Sequence, residues 1–178
     1  MTRKPAVAFV SGKSGTGKTT LLTGVLKCLK RRGYRVGTVK HSMHAIQVDP
    51  EGKDSRRHAE AGSDVTVVCG PGIMATIRRV KMPSFEEILK EASRGTDVVL
   101  VEGFKDFPVP GIEVYRSGFS RHLLYRKDKE GDTNIIAVAS NASLSIDVPV
   151  LPLNEPELVC DFIEERFLKK TSNGKSDV

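Results

Sequence analysis

The feature that most constrains this chain is a glycine-rich stretch near its amino terminus, VSGKSGTGKTTLL at residues 10–22. It follows PAVAFV (5–10), an apolar run that predicts a buried strand. It precedes residues 18–32, whose apolar positions recur with the 3.6-residue period of a helix. Glycine disfavours strand and helix alike, so the three glycines of this stretch indicate a loop kept for something other than local stability.

This loop matches the pattern G-x-x-x-x-G-K-[ST] in full over residues 12–19. The backbone N–H groups of such a loop turn toward a phosphate, and the helix that follows adds its dipole. Lys18 is placed to reach the outer phosphates and Thr19 to ligate Mg²⁺. We therefore predict a nucleoside triphosphate site formed by Gly12, Lys13, Ser14, Gly15, Thr16, Gly17, Lys18, Thr19 and Thr20.

A site of this kind needs an acidic residue to orient the hydrated Mg²⁺, normally at the carboxyl end of a buried strand. Glu102 directly follows the apolar run 98–101 and is the first candidate. Asp54 lies in the loop region after the second predicted strand, and it is as well suited to be a plain helix N-cap. We predict Lys18 and Glu102 as catalytic residues and Thr19 and Glu102 as metal ligands, and Asp54 stays open between a metal role and the N-cap.

The rest of the chain alternates predicted strands and helices, which is typical of a mostly parallel sheet flanked by helices. We predict an α/β, three-layer fold of the P-loop NTPase class, with one nucleotide-binding domain over 1–168 and a disordered tail over 169–178. Residues 112–116 and 122–125 bracket SGFS and predict a hairpin. The other predicted strands are 35–40, 65–69, 74–80, 98–101 and 135–139, and the other helices begin near 54, 85 and 155.

The composition indicates which classes of partner to expect. Lys and Arg (28) exceed Asp and Glu (22), giving a net charge of +6 that favours anionic ligands. These charges are scattered, so we expect no nucleic-acid partner. The three cysteines are far apart without a CxxC pair, which fits reduced thiols, and no stretch approaches a membrane span. We expect a cytoplasmic protein with no membrane partner.

Four stretches of the sequence resemble the MobB family, the adaptors of molybdopterin-guanine dinucleotide biosynthesis. The resemblance extends over residues 9–141, about three-quarters of the chain. GKDSxRHxxAG and VEGFK are far more specific than the glycine-rich loop alone. The stretches are GKSGTGKTTLL, VKHSMHAIQVDPEGKDSRRHAEAGSDVTVV, DVVLVEGFKDFPVPGIEVYR and IIAVASN.

The resemblance implies a GTP-binding protein that hydrolyses GTP weakly with Mg²⁺, forms a homodimer and assists the molybdenum cofactor guanylyltransferase. It implies that Asp54 and Glu102 are the metal-side acids, so we predict Asp54 too as a catalytic residue and metal ligand. It also implies that Lys105 and Arg116 lie around the nucleotide cleft, with the base near Asn141 or the loop at 151–156. For the dimer we expect a contact through the predicted hairpin, by way of Ile112, Val114, Leu123 and Leu124.

Two other classes of function stay open. A small-molecule kinase would use the same loop, with Arg116, Arg121 and Arg126 to clamp an acceptor. A dimerising ATPase switch would use Lys13, which matches in position a lysine that reaches across the dimer in partition ATPases, although it is as easily a solvated side chain. No N-K-x-D sequence is present, so spacing alone does not identify the base.

Overall fold

The computed structural model describes residues 4–42, 46, 48–104, 108–120, 122–125 and 134–169. The chain divides into two compact units, one formed by Met1–His41 with Phe85–Val178 and one by Ser42–Ser84. A compact unit is a separate domain only if it folds independently. The prediction of one domain over 1–168 therefore stays a prediction, and its tail lies outside the described residues apart from Lys169.

The larger unit contains a six-stranded sheet flanked by helices. The strands are β1 (Ala6–Val10), β2 (Val36–Lys40), β5 (Val98–Glu102), β6 (Gly111–Tyr115), β7 (Ile135–Ser140) and β8 (Val150–Pro152), and the helices are α1 (Lys18–Arg31), α3 (Phe85–Ala92) and α4 (Pro156–Ile163). The strand order is β2-β5-β1-β6-β7-β8, and every neighbouring pair is parallel. A mostly parallel sheet flanked by helices is the predicted fold class, and it is confirmed.

Side chains that alternate along β1 build the two faces of this sheet. Val7 and Phe9 pack into one core with α1 and α4, and Ala6, Ala8 and Val10 pack into the other with α3. A strand that is buried on both faces has a continuous run of apolar residues in its sequence. For this reason the apolar run at 5–10 predicted β1 correctly. The helices on both faces give the three layers.

The smaller unit contains α2 (Asp54–Glu60) and an antiparallel pair, β3 (Val65–Gly70) and β4 (Ile73–Arg78). Gly72 has φ 76, a conformation that glycine adopts without strain, in the turn that joins the two strands. The strands predicted at 65–69 and 74–80 are confirmed, with bounds that differ by one or two residues.

The predicted hairpin at 112–125 is wrong. β6 lies inside the sheet, parallel to β1 and β7, and residues 122–125 are not a strand. Ile112 and Val114 are 0% and 1% exposed, so they belong to the core of the protomer and are not available for the expected dimer contact.

Two details at the carboxyl end also differ from the predictions. β8 was missed, because it has only three residues and one of them is Pro152. The closing helix begins close to the predicted position, at Pro156, and it changes after Ile163 to a π-helical turn over Glu164–Leu168. In the part of the chain that the structure describes, no helix has the length and apolar character needed to cross a membrane.

Candidate functional site

The glycine-rich loop, residues 11–17, connects the end of β1 to the first residue of α1. Gly15 and Gly17 have φ values of 81 and 103, a region that residues with a side chain rarely adopt. Gly17 is also the N-cap of α1, and no side chain caps that helix end. The first N–H groups of α1 are therefore left to a ligand or to water, which suits an anion.

Lys18 lies across this loop. Its Nζ donates to Ser11 Oγ at 2.7 Å and to the carbonyl oxygen of Lys13 at 3.5 Å. Its side chain is half-buried, and this burial lowers the pKa of the ammonium, against the opposing effect of the Glu102 carboxylate. The ammonium is thus held beside the loop by two neutral acceptors. A negatively charged phosphate would bind it more strongly and replace them.

The structure brings Thr19 and Glu102 together, although 83 residues separate them. Thr19 Oγ1 donates to Glu102 Oε1 at 2.8 Å. Lys40 Nζ lies 3.9 Å from the same carboxylate oxygen, because Lys40 is paired in register with Glu102 at the ends of β2 and β5. A hydroxyl and a carboxylate are hard oxygen ligands, and Mg²⁺ commonly takes only one or two of these from a protein beside water and phosphate.

Residues 116–120 and 122–125 form a covering segment that lies against the outside of the loop. Arg116 Nε donates to the carbonyl oxygen of Thr16 at 3.2 Å, and Lys13 Nζ lies 4.3 Å from the centroid of the Phe119 ring. A methyl group on Gly17 would lie 3.1 Å from Arg116 Nη2, and one on Gly15 would lie 3.3 Å from Phe119 Cζ. The positive φ angles therefore favour glycine at both positions, and the space beside each is tight.

Glu113 anchors the far end of the covering segment. Its side chain is 1% exposed, and its two carboxylate oxygens accept the N–H groups of Leu124 at 2.8 Å and Tyr125 at 2.9 Å. Burial raises the pKa of this carboxyl, and the two hydrogen bonds partly oppose that rise. A buried acid in an apolar strand is here a structural anchor that the sequence analysis missed, although its charge within IEVYR was a visible signal.

Asn141 anchors the near end of the covering segment. Its Oδ1 accepts the N–H of Ser117 at 2.7 Å, and the N–H of Arg116 is bonded to Ser120 Oγ at 3.2 Å. The covering segment is therefore tied to β6 and β7 at both of its ends, and through Arg116 it holds the glycine-rich loop.

Two adjoining cavities extend from the glycine-rich loop along the sheet edge. The first, of about 540 Å³, is lined by Gly17, Thr19, Thr20, Arg116 and Asn154 among others. The second, of about 590 Å³, lies between the ends of β7 and β8 and includes Asn141. Both include Leu153 and Asn154, so one ligand can occupy the two cavities.

The remaining predicted residues lie as follows. Gly12, Lys13 and Ser14 are exposed on the loop, whereas the side chain of Thr16 is buried and its hydroxyl has no hydrogen-bond partner among the described residues. Thr16 therefore offers a ligand its backbone N–H only. Asp54 belongs to the smaller unit, where it is the first residue of α2 and its carboxylate lies 3.5 Å from Arg57. Lys105, Arg121 and Arg126 lie outside the described residues.

The chain is similar to known proteins of one family. The family model described as molybdopterin guanine dinucleotide synthesis protein B (MobB) matches residues 7–141. The molybdopterin-guanine dinucleotide biosynthesis adapter protein of Haemophilus influenzae is 40% identical over 157 residues, which are 87% of this chain and 85% of that protein. Its counterpart in Escherichia coli K12 is 37% identical over 172 residues, 93% of this chain and 95% of that protein.

The fold is also similar to that of solved structures. The crystal structure of Bacillus subtilis MobB has a TM-score of 0.69 and 26% sequence identity to this chain. The likeness covers 92% of this chain and 98% of that chain.

The raised pKa of Glu113 leads to a prediction on stability. The folded state keeps a proton on Glu113 at pH values where the unfolded chain has lost it, so the free energy of unfolding falls as pH rises from about 4.5 through the raised pKa. Glu113→Gln removes this dependence. We expect the difference between parent and variant in denaturant unfolding to change with pH across that interval and to be constant above it. Glu165→Gln is the control, and a constant difference for both variants at all pH values would contradict the assignment.

Proposed function

Because this chain belongs to the MobB family of molybdopterin guanine dinucleotide synthesis proteins, we propose that it binds GTP with Mg²⁺ and acts with the guanylyltransferase that joins GMP to molybdopterin. Its role as an adapter in molybdopterin-guanine dinucleotide biosynthesis follows from the family. GTP, Mg²⁺, weak hydrolysis, a homodimer, the guanylyltransferase and the cytoplasm are the proposed part.

The observation that carries the proposal is the hydrogen bond between Thr19 and Glu102 beside an uncapped helix end. The hydroxyl that follows the loop lysine and the carboxylate at the end of a buried strand are the two protein ligands that a phosphate-bound Mg²⁺ requires in a site of this kind. Bound there, Mg²⁺ would neutralise charge on the outer phosphates. The assignment of Asp54 as a further metal ligand stays a prediction from the sequence.

The residues of the loop have separate tasks in this proposal. Backbone N–H groups from Gly15 to Thr20 hold the phosphates, and Lys18 exchanges its bonds to Ser11 and Lys13 for the outer phosphate oxygens. Arg116 lines the cavity beside Gly17 and supplies positive charge there. It also keeps the loop in shape through Thr16, so its charge is present before a ligand arrives.

Hydrolysis by the isolated protein is proposed to be slow, because the cations beside the loop already have partners. Lys13 Nζ lies 4.3 Å from the centroid of the Phe119 ring, and Arg116 Nε donates to the carbonyl oxygen of Thr16. A cation that moves onto the transition state raises such a rate by about 10³ to 10⁵. The guanylyltransferase or a second copy would have to supply one.

Replacing Lys18 tests the nucleotide site. Lys18→Ala removes a charge from the half-buried edge of the loop and leaves the core unchanged, so we expect GTP affinity to fall by at least about 10- to 100-fold with unaltered thermal unfolding. Titration calorimetry with Mg²⁺ measures this loss. Lys30→Ala, an exposed lysine on the same helix, is the matched control. Equal affinity in the parent and Lys18→Ala would refute the site.

Replacing Glu102 tests the metal role. Glu102→Gln keeps an acceptor for Thr19 but weakens the hold on metal-bound water, so we expect Mg²⁺-dependent hydrolysis to fall more than GTP affinity. Single-turnover assays over a Mg²⁺ series measure both, with Glu86→Gln as the control. If Glu102→Gln keeps the Mg²⁺ dependence of the parent, another acid must have the metal role. In the same assays, phosphate release by the parent without any acceptor substrate would argue against a kinase.

The homodimer is proposed to form through the β3–β4 pair rather than through residues 112–125. Among the described residues neither strand has a second neighbour, and a lone two-stranded sheet is marginally stable. The face that carries Val67 and Met74 is exposed, at 53% and 72% of these side chains. An exposed apolar face of this kind is a usual surface for association with another chain, and a second copy is always present.

Charged residues on this face should separate the dimer. We expect light scattering to show a dimer for the parent at micromolar concentration and a monomer for Val67→Lys/Met74→Lys. Leu158→Lys, a substitution of a 43% exposed leucine on α4, should leave the dimer intact. A monomeric parent with GTP present, or a dimeric double variant, would be the contrary result.

A further inference from the structure

Lys40 is a charged residue beside Thr19 and Glu102 that has no task in the proposed function. Its Nζ lies 3.9 Å from Glu102 Oε1, the same oxygen that accepts the hydroxyl of Thr19. Burial is the main cause that lowers the pKa of Lys18, and the charge of Lys40 lowers it further. Lys40 therefore belongs to the electrostatics of the same site.

The backbone of Lys40 is fixed beside that of Glu102. The two residues are paired in register at the ends of β2 and β5, so their side chains lie on the same face of the sheet. The next residue, His41, donates its N–H to the carbonyl oxygen of Glu102 at 3.0 Å, and the centroid of its ring lies 4.1 Å from that of Phe104. The side chain of Lys40 thus extends from a fixed point next to the carboxylate.

The ammonium group of Lys40 is far less constrained than its backbone. The side chain of Lys40 is 69% exposed, whereas that of Glu102 is only 16% exposed. A lysine has a flexible four-carbon stem and a strongly hydrated charge, and an ion pair at this distance and exposure is weak. The covered carboxylate needs a cation more than the exposed ammonium needs the carboxylate. The ammonium can therefore leave Glu102 for water at little cost.

We propose that the ammonium of Lys40 takes the place of Mg²⁺ at Glu102 while the site holds no metal, and that Mg²⁺ displaces it. This inference rests on the proposed GTP and Mg²⁺ site, in which Lys40 is a positioning residue that acts through Glu102. Mg²⁺ has two charges and binds oxygen at about 2.0 to 2.1 Å, so it interacts with the carboxylate more strongly than an ammonium at 3.9 Å. Once bound, the metal repels the ammonium.

A direct contact between Lys40 and the outer phosphate is the alternative role, and Mg²⁺ distinguishes the two. As a phosphate ligand, Lys40 would strengthen GTP binding by a similar factor with and without metal. As a substitute for Mg²⁺, it reduces the repulsion between Glu102 and the phosphates only while the metal is absent. The position of the ammonium beside the carboxylate favours the second role, and Lys18 already lies across the glycine-rich loop.

The experiment compares the affinity of the full chain for GTP in saturating Mg²⁺ with its affinity in EDTA, by titration calorimetry. Inorganic tripolyphosphate is the second probe, because it carries the phosphates without a base. For Lys40→Met we expect the ratio of the two affinities to rise by about 3- to 10-fold for both probes. Lys40→Arg keeps the charge and should not raise the ratio. Lys30→Met, which changes an exposed lysine on α1, is the matched control.

A double variant tests whether Lys40 acts through Glu102. In a Glu102→Gln background the carboxylate is absent, so Lys40→Met should no longer raise the ratio. Thermal unfolding of each variant provides the comparison with a purely structural role, which would lower stability without a change in the ratio. An equal rise of the ratio in both backgrounds would overturn the inference.

The other contrary results separate the inference from the proposed function. If the parent binds neither GTP nor tripolyphosphate, the proposed phosphate site is wrong, and the role of Lys40 falls with it. If Mg²⁺ does not change the affinity of the parent, the proposed metal site is wrong, with the same consequence. If the parent binds both probes more tightly with Mg²⁺ and Lys40→Met keeps the ratio of the parent, only the inference on Lys40 is overturned.

Discussion

The parallel pairing of β1 with β5 and β6 is the constraint on which the arrangement of this site depends. In a parallel sheet the carboxyl ends of all strands meet at one edge. Phe9 is in register with Glu102, so the loop that leaves β1 begins where β5 ends. Thr19 reaches Glu102 for this reason, and Lys40 at the end of β2 joins the same carboxylate. A slip of one residue would turn Glu102 to the other face of the sheet.

The glycine-rich loop is held in place from its outer side by a segment that makes no secondary structure of its own. Glu113, in the middle of β6, and Asn141, directly after β7, accept backbone N–H groups from this segment, and Arg116 connects it to Thr16. A buried carboxylate is costly, and two N–H donors offset part of that cost. The phosphate-facing backbone is therefore positioned by the sheet core, a form of pre-organisation that reduces what a ligand must order on binding.

Much of this fold was predictable from local pattern. β1 and β5 are continuous apolar runs, α1 has a clear helical period, and the glycine-rich loop between them has a specific motif. The errors came from elements that depend on distant partners. Residues 112–116 alternate like a hairpin strand, because Glu113 lies between Ile112 and Val114, yet that glutamate is 1% exposed. Its two hydrogen-bond donors come from residues 11 and 12 positions further on, which no local pattern reveals.

The sequence by itself determined that a phosphate-type loop joins a buried strand to a helix and that an acidic residue ends a second buried strand. These are properties of neighbouring residues, so the spacing of the apolar residues and the positions of the glycines predict them. Only the tertiary structure decided that Glu102 meets Thr19, that Glu113 and Arg116 fix the loop from outside, and that Asn141 and Glu155 border one cavity. The order and register of the strands bring these residues together. Which strands pair is determined by non-local contacts, and the energy of each contact depends on residues far apart in the chain.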